Sequence, residues 1–198
     1  AATITTTNAW ITPTDRQVCC DQRTFRFSVR QDCRIVDFQI ALWSEQGPIE
    51  IGDKKDAGFA IRVPGTMKVN AHRGGTIINS QGQTNAAAWG QPAQWVDYSG
   101  PVSDTKKLIA GVAILSHPDN GRPAPRWHVR NYGLFAANPF GEREFPPHSK
   151  TQQGGLQLAK GQRLTLRYRV VLHRGNHAEA SIAEKFASFS AGGQLQQD

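Results

Sequence analysis

Apolar and polar residues alternate along much of this chain. In Arg163–Arg174, apolar side chains occupy every second position from Leu164 to Leu172, and arginine, threonine or histidine fill most positions between them. Strict alternation of this kind predicts a β-strand with one buried and one exposed face. The same pattern predicts strands at 25–30, 34–43 and 59–63. Residues 108–115 form a nearly continuous apolar run, which is typical of a strand buried on both faces.

Glycine- and proline-containing turn sequences separate these segments, and a single stretch has a helical period. Apolar residues recur at steps of three and four over 177–188, and Asn176 is placed to cap that helix. The tail 190–198 is polar and glutamine-rich, so we expect it to be disordered. Many short strands with one late helix predict an all-β fold, an antiparallel β-sandwich with one C-terminal helix. The length of 198 residues fits a single domain over 1–198.

Charge and composition narrow the classes of partner. The chain has 23 Lys plus Arg and 16 Asp plus Glu, a net charge of +7. The arginines are dispersed and no block of like charges occurs, which favours a small acidic ligand over nucleic acid. The longest strongly apolar uncharged run, 108–116, is far shorter than the roughly 20 residues of a membrane-spanning helix. Three cysteines without a C-x-x-C spacing indicate small, at least half-buried residues rather than a zinc or redox site.

The densest polar and aromatic region is 116–141. If Trp127–Leu134 is extended, His128, Arg130 and Tyr132 share one face and could line one cleft. An imidazole, a guanidinium and a phenol suit a hydroxylated or anionic ligand. His117 follows a buried strand and would lie near the rim of this cleft. His117 and His128 are therefore the candidate catalytic residues for proton transfer, although each could instead satisfy a separate local bond. Two histidines without a recognisable third ligand predict neither a metal nor a cofactor.

Further polar and aromatic residues complete the candidate substrate-binding set. A tryptophan ring could stack on a sugar ring, and arginines could orient hydroxyls or a carboxylate, although aromatic clusters more often belong to a core. Glycine-rich phosphate motifs and the G-x-S-x-G motif are missing from the sequence. The candidate binding residues are Arg62, Trp95, Asp97, Trp127, Arg130, Tyr132 and Asn138.

The segment Gly111–Gly141 resembles the bacterial PmoA-like family, whose members carry the label "methane oxygenase PmoA". Shorter stretches at 35–38, 52–63, 78–82, 88–90 and 95–100 resemble it as well. The resemblance implies a galactose-mutarotase-like supersandwich, incomplete at its N-terminus, because such proteins carry an earlier region with a His-His-Arg motif. It also implies a periplasmic or secreted location. A sheet edge left uncovered in such a fragment could mediate self-association.

These observations lead to a carbohydrate-related function. We expect a small-molecule substrate, a sugar or a sugar acid, which the protein binds or processes, with no nucleic acid partner and no membrane span. The family label implies a different function, an oxidoreductase or metal-dependent oxygenase. A non-catalytic binding module is the remaining alternative, so the sequence leaves open whether the protein is an enzyme.

Overall fold

Antiparallel strands dominate the fold. A computed structural model describes residues 1–103, 108–148 and 154–192. Within these ranges it contains one helix, α1 (Ile182–Ala191), a few short 3-10 turns and twelve strands. The strands are β1 (Ala2–Ile11), β2 (Gln17–Val29), β3 (Cys33–Trp43), β4 (Ile49–Ile51), β5 (Phe59–Arg62), β6 (Thr76–Asn79), β7 (Trp95–Pro101), β8 (Ile109–Ser116), β9 (Arg126–Val129), β10 (Leu134–Asn138), β11 (Leu156–Leu158) and β12 (Arg163–Arg174).

Seven strands form the large sheet, in the order β1-β2-β3-β12-β8-β7-β6, and all neighbours are antiparallel. The long strand β12 lies at its centre and pairs with β3 over eleven residues, from Arg163 opposite Trp43 to His173 opposite Cys33. The alternation seen in the sequence therefore places the even-numbered residues of β12 on one face of the sheet and the odd-numbered residues on the other.

The inner face of this sheet packs against a three-stranded sheet in the order β5-β10-β9. Trp127 and Phe135 of the small sheet are fully buried against Ile114 and Tyr98 of the large one. A run of rings, from Phe25 through Phe38 and Phe59 to Tyr168, crosses between the two sheets. Strands β4 and β11 form a separate pair. The expectation of an antiparallel, all-β, sandwich-like fold with one C-terminal helix is confirmed.

The helix packs on the outer face of the large sheet. Ile182 and Phe189 bury their side chains in the same cluster as Ile35, Leu115 and Val171. The sequence places the helix too early: residues 177–181 form turns, and Asn176 Oδ1 caps those turns by accepting from the N–H groups of 178 and 179. The helix then continues to Ala191, into the segment expected to be disordered, while 193–198 lies outside the described residues.

The segment Trp127–Leu134 is a hairpin, not one extended strand. Strand β9 ends at Val129, the backbone N–H of Arg130 donates to the carbonyl of Leu134, and Gly133 N–H donates back to Arg130. Gly133 has a φ of +97°, a conformation that glycine adopts most readily. The turn therefore breaks the period-two pattern that placed His128, Arg130 and Tyr132 on one strand face.

Within the described ranges, no helix is both long and apolar enough to span a membrane. The three cysteines are free; Cys19 and Cys33 are buried and Cys20 is half-buried.

Candidate anion-binding groove

Three arginines project from the outer face of β12, and we call them the arginine ladder: Arg163, Arg167 and Arg169. Each one contacts the residue opposite it on β3. Arg169 donates two hydrogen bonds, of 2.6 and 2.9 Å, to the carboxylate of Asp37. Arg167 Nε donates to Gln39 Oε1 at 3.2 Å. The guanidinium of Arg163 lies 4.0 Å from the ring centroid of Trp43. Cross-strand partners therefore fix the direction of all three guanidinium groups.

One end of the ladder opens into a groove between the sheet and α1, with a cavity volume of about 1160 Å³. Strands β2, β3 and β12 form its floor, the turn between β2 and β3 closes one end, and α1 forms a wall. Its basic lining residues are Arg26, Arg30, Arg167, Arg169 and Lys185, and its acidic lining residues are Asp32 and Asp37.

Both acids of the groove already have partners. Asp37 is paired with Arg169, and Asp32 accepts a 2.6 Å hydrogen bond from Lys185 Nζ. That hydrogen bond lowers the pKa of Asp32 below its ordinary value. Five cations less two acids leave a surplus of three positive charges. Within the described residues, Arg26 and Arg30 have no ion pair, and Arg167 donates to a neutral amide, that of Gln39. The groove thus presents unneutralised guanidinium groups to a ligand.

His117 lies in the wall of the groove, and its Nδ1 is already hydrogen-bonded. Nδ1 accepts from the backbone N–H of Asp119. Burial lowers the pKa of His117. The ring also meets Phe189 edge-on, with centroids 4.8 Å apart. Burial favours the neutral imidazole, and its edge-on contact with Phe189 anchors α1 to the sheet.

Asn120 holds the backbone of the ladder at the groove. Its Oδ1 accepts from the N–H of Arg167, and its Nδ2 donates to the carbonyl of the same residue. Asn120 is itself buried. It therefore fixes the position at which Arg167 leaves the strand, a role that the sequence did not suggest.

His128 belongs to a different part of the molecule. It lies on the outward side of β9, buried beneath the loop that precedes β5. Its Nδ1 is 3.0 Å from the carbonyl oxygen of Lys55, and its ring meets Phe145 edge-on. Burial lowers the pKa of His128. The contacts of His128 and those of His117 share no residue, so the structure does not bring the two candidate catalytic histidines together.

Arg130 and Tyr132 do meet, although in a turn. The guanidinium of Arg130 lies 5.1 Å from the ring centroid of Trp89 and 5.5 Å from that of Tyr132. Tyr132 is 40% exposed. Trp89, which precedes β7, and the hairpin residues Arg130 and Tyr132 thus form a partly exposed cation–π stack, separate from the groove.

Two further candidate binding residues are structural. Trp127 is completely buried and donates from Nε1 to the carbonyl of Ala93. Asn138 donates to the carbonyls of Lys54 and Lys55 and accepts from the N–H groups of 140 and 141. Neither side chain offers a free surface or a free hydrogen-bonding group to a ligand.

Asp97 forms a buried pair with His173, a residue that sequence reasoning did not select. His173 Nε2 lies 2.6 Å from Asp97 Oδ2, and both side chains are almost fully buried. The imidazole crosses over Gly111 of the intervening strand β8, where any Cβ atom would overlap it. His173 and the exposed Arg62 both line a second cavity of about 1180 Å³. Trp95 is buried beside α1 rather than in this cavity.

The sequence pattern indicated the arginine-bearing face of the groove but not the groove itself. The alternating arginines of 163–169 and 23–30 indicate a solvated or groove-lining face, but Lys185 and Phe189 join them from a distant helix. The described residues contain no group of three or more His, Cys, Asp or Glu arranged to hold a metal ion.

Comparison with known proteins identifies a family whose function is unknown. A family model described as "Family of unknown function (DUF6807)" matches residues 1–187. No curated protein and no solved structure matches the chain. The assignment to the PmoA-like family is therefore wrong, because the matching model is a different one. The oxygenase label, the mutarotase likeness and the incomplete N-terminus rested on that resemblance and lose their basis with it.

Proposed function

This chain belongs to the DUF6807 family of unknown function, and from the geometry of the groove we propose that it binds a sugar acid there. The ligand class is a small polyhydroxylated molecule with a carboxylate. The observation that carries the proposal is the pair Arg26 and Arg30, two guanidinium groups at the groove without an acidic partner in the described residues.

Arginine is the cation best suited to a carboxylate. Its planar fork donates two parallel hydrogen bonds to the two oxygens, which fixes the orientation of the ligand as well as its position. Arg169 already forms such a pair with Asp37, directly beside Arg26 in the sheet register. A ligand carboxylate at Arg26 would repeat this pairing on the neighbouring strand.

The remaining lining suits hydroxyl groups. Ser28 of the sheet and Ser188 of the helix both line the groove. Each hydroxyl can donate and accept, as a sugar hydroxyl can. At about 1160 Å³ the groove is at or above the roughly 300–1,000 Å³ of ordinary small-molecule sites, so it has room for a sugar ring.

Isothermal titration calorimetry with galacturonate, gluconate and galactose tests the proposal. We expect the two acids to bind and the neutral sugar to bind at least about tenfold more weakly, because a charge-assisted hydrogen bond contributes roughly 1.5–3 kcal/mol. Arg26→Gln and Arg30→Gln should each weaken binding of the acids by a similar factor. Arg16→Gln removes an exposed arginine outside the groove and is the matched control.

Equal affinity for galacturonate and galactose would contradict an anion site. Acid binding that survives Arg26→Gln and Arg30→Gln unchanged would place the ligand outside the groove and refute the assignment.

We also propose a second copy of this chain as a partner, through the edge strand β1. None of the fourteen residues 1–14 has a charged side chain, so two identical edges can pair without side-chain repulsion between like charges. Beside this edge, Ile4 is 53% and Phe27 40% exposed. We expect a dimer by size-exclusion chromatography with light scattering, and a monomer for Thr5→Lys but not for Thr14→Lys. A monomeric parent protein would refute this pairing.

A further inference from the structure

We infer that the groove binds the end of an acidic oligosaccharide, and that the rest of this chain of sugars lies along the arginine ladder as far as Trp43. This inference rests on the proposed function and extends it from a single sugar acid to a polymer of them. The inference is based on the outer face of β2, β3 and β12 beyond the groove. We call this part of the sheet the ladder face.

The ladder face is long enough for more than one sugar ring. Asp37, at the groove, and Trp43 are six positions apart on the same strand. At roughly 3.3 Å per residue this is about 20 Å of extended strand. The helix packs on the sheet around Ile35 and Val171, on the other side of the Asp37 row. Among the described elements, α1 therefore covers the outer face only at one end of the ladder.

Two ladder arginines keep an unneutralised charge on this face. Arg163 stacks on Trp43, and within the described residues it has no acidic partner. Arg167, which also lines the groove, donates from its side chain to the neutral amide of Gln39 and has no acidic partner among the described residues. They lie four residues apart on the same side of β12, about 13 Å along the strand. Because their partners already fix them, an acidic polymer could bind both at a small cost in side-chain entropy.

Hydroxyl and amide groups fill the space between the charges. Gln22 and Thr24 of β2 and Thr165 of β12 are half-buried on this face. Each can donate and accept hydrogen bonds with sugar hydroxyls. The only acid on the outer faces of β2, β3 and β12 between the Asp37 row and Trp43 is Asp37 itself, which is neutralised by Arg169. An alternation of cations with neutral polar groups matches the alternation of carboxylates and hydroxyls in a polyuronate.

The same features disfavour a nucleic acid. Single strands bind through rows of aromatic side chains on which the bases stack. The one aromatic residue of the ladder face, Trp43, already has a guanidinium on its ring. We therefore assign the face to an acidic carbohydrate and treat RNA as an outcome of the test.

The experiment compares galacturonate with its oligomers of increasing length by isothermal titration calorimetry. For the parent protein we expect affinity to rise with length, to at least about tenfold above the monomer, as additional carboxylates reach the ladder. Arg163→Gln should abolish most of this gain and leave binding of the monomer unchanged. Arg163→Lys should restore part of it, because the charge remains and the planar fork is lost. Arg16→Gln is the control.

Equal affinities for monomer and oligomer, with monomer binding intact, would overturn this inference and leave the proposed function standing. Failure of both monomer and oligomer to bind would overturn both. Tighter binding of a single-stranded RNA than of the oligouronate, lost in Arg163→Gln, would replace the carbohydrate by a nucleic acid and overturn the inference as well.

Discussion

Two regions of this molecule concentrate arginine, histidine and acidic side chains, and they use them differently. In the hairpin of β9 and β10, most hydrogen bonds from polar side chains end on backbone: Arg126 Nη1 donates to the carbonyls of Gly90 and Pro146, and Asn138 bonds to four backbone groups. The exception on Arg126 is its Nε, which pairs with the carboxylate of Glu142. In the groove the side chains bond mainly to other side chains, and Arg26 and Arg30 have no such partner within the described residues.

The comparison separates a polar network that holds loops from a polar surface that can hold a ligand. A buried donor or acceptor satisfied by backbone cannot exchange that bond for a ligand without leaving a polar group unpaired, which costs roughly 1–3 kcal/mol. An unpaired cation on a half-exposed floor gains from a ligand. Both regions are rich in polar residues, so the sequence alone does not distinguish the structural network from the ligand-binding surface.

Trp127→Ala should produce the largest effect and test the structural reading of the hairpin. The side chain is fully buried, so its removal should lower the free energy of unfolding by about 3–5 kcal/mol, measured by chemical denaturation. Tyr132→Ala, on the same hairpin but 40% exposed, is the matched control and should cost far less. If the two variants are equally stable, Trp127 is not part of the core.

Gly111→Ala should have the next largest effect, because a Cβ atom would displace the His173 imidazole from Asp97. We expect a loss of about 1–3 kcal/mol in the free energy of unfolding. Gly47→Ala, where a Cβ atom meets nothing, should be close to neutral. A stable Gly111→Ala variant would show that the histidine–aspartate pair does not depend on the open space over β8.

Stability should fall as the pH drops below neutrality. Burial lowers the pKa of both His117 and His128, so the unfolded chain binds protons near pH 6.5 while the folded chain resists them. The histidine contribution is thus fully present above the ordinary histidine pKa and is lost as the pH falls from there toward the lowered values. The carboxylates with lowered pKa, such as Asp53, act only at more acidic pH.

Thermal melts between pH 7.5 and 5.5 measure this effect, at most about 1.4 kcal/mol per histidine per pH unit. A double variant, His117→Gln with His128→Gln, should have a flatter profile. An unchanged slope in that variant would show that other groups cause the pH dependence.

Arg26→Gln should have the smallest effect on stability, within about 0.5 kcal/mol, because Arg26 has no ion pair to lose among the described residues. The same change should weaken binding of a sugar acid. A large loss of stability, measured by denaturation, would show that Arg26 stabilises the fold and is not free to bind a ligand.

Local pattern predicted the strands well, because the alternating apolar residues of β12 from Leu164 to Val170 do face the core. The pattern was wrong at the end of the strand, where Leu172 is 42% exposed and Val171 of the opposite face is buried under α1. It could not predict the hairpin, where one glycine turn reverses the chain. The site depended still more on distant residues. Asp97 and His173 lie 76 positions apart, and Lys185 reaches Asp32 over 153. His117 and Trp127 were chosen for their chemistry, whereas their hydrogen bonds to backbone decide what they do.

The central claim is that a sugar acid binds in the groove and not on the hairpin. The most direct measurement is the NMR signal of each arginine Nε–H group and tryptophan indole N–H group during titration with galacturonate. We predict that the signals of Arg26 and Arg30 shift with a common saturation curve, while those of Arg130 and Trp89 stay in place. Shifts confined to the signals of Arg130 and Trp89 would contradict binding in the groove and would show that the ligand binds beside the hairpin.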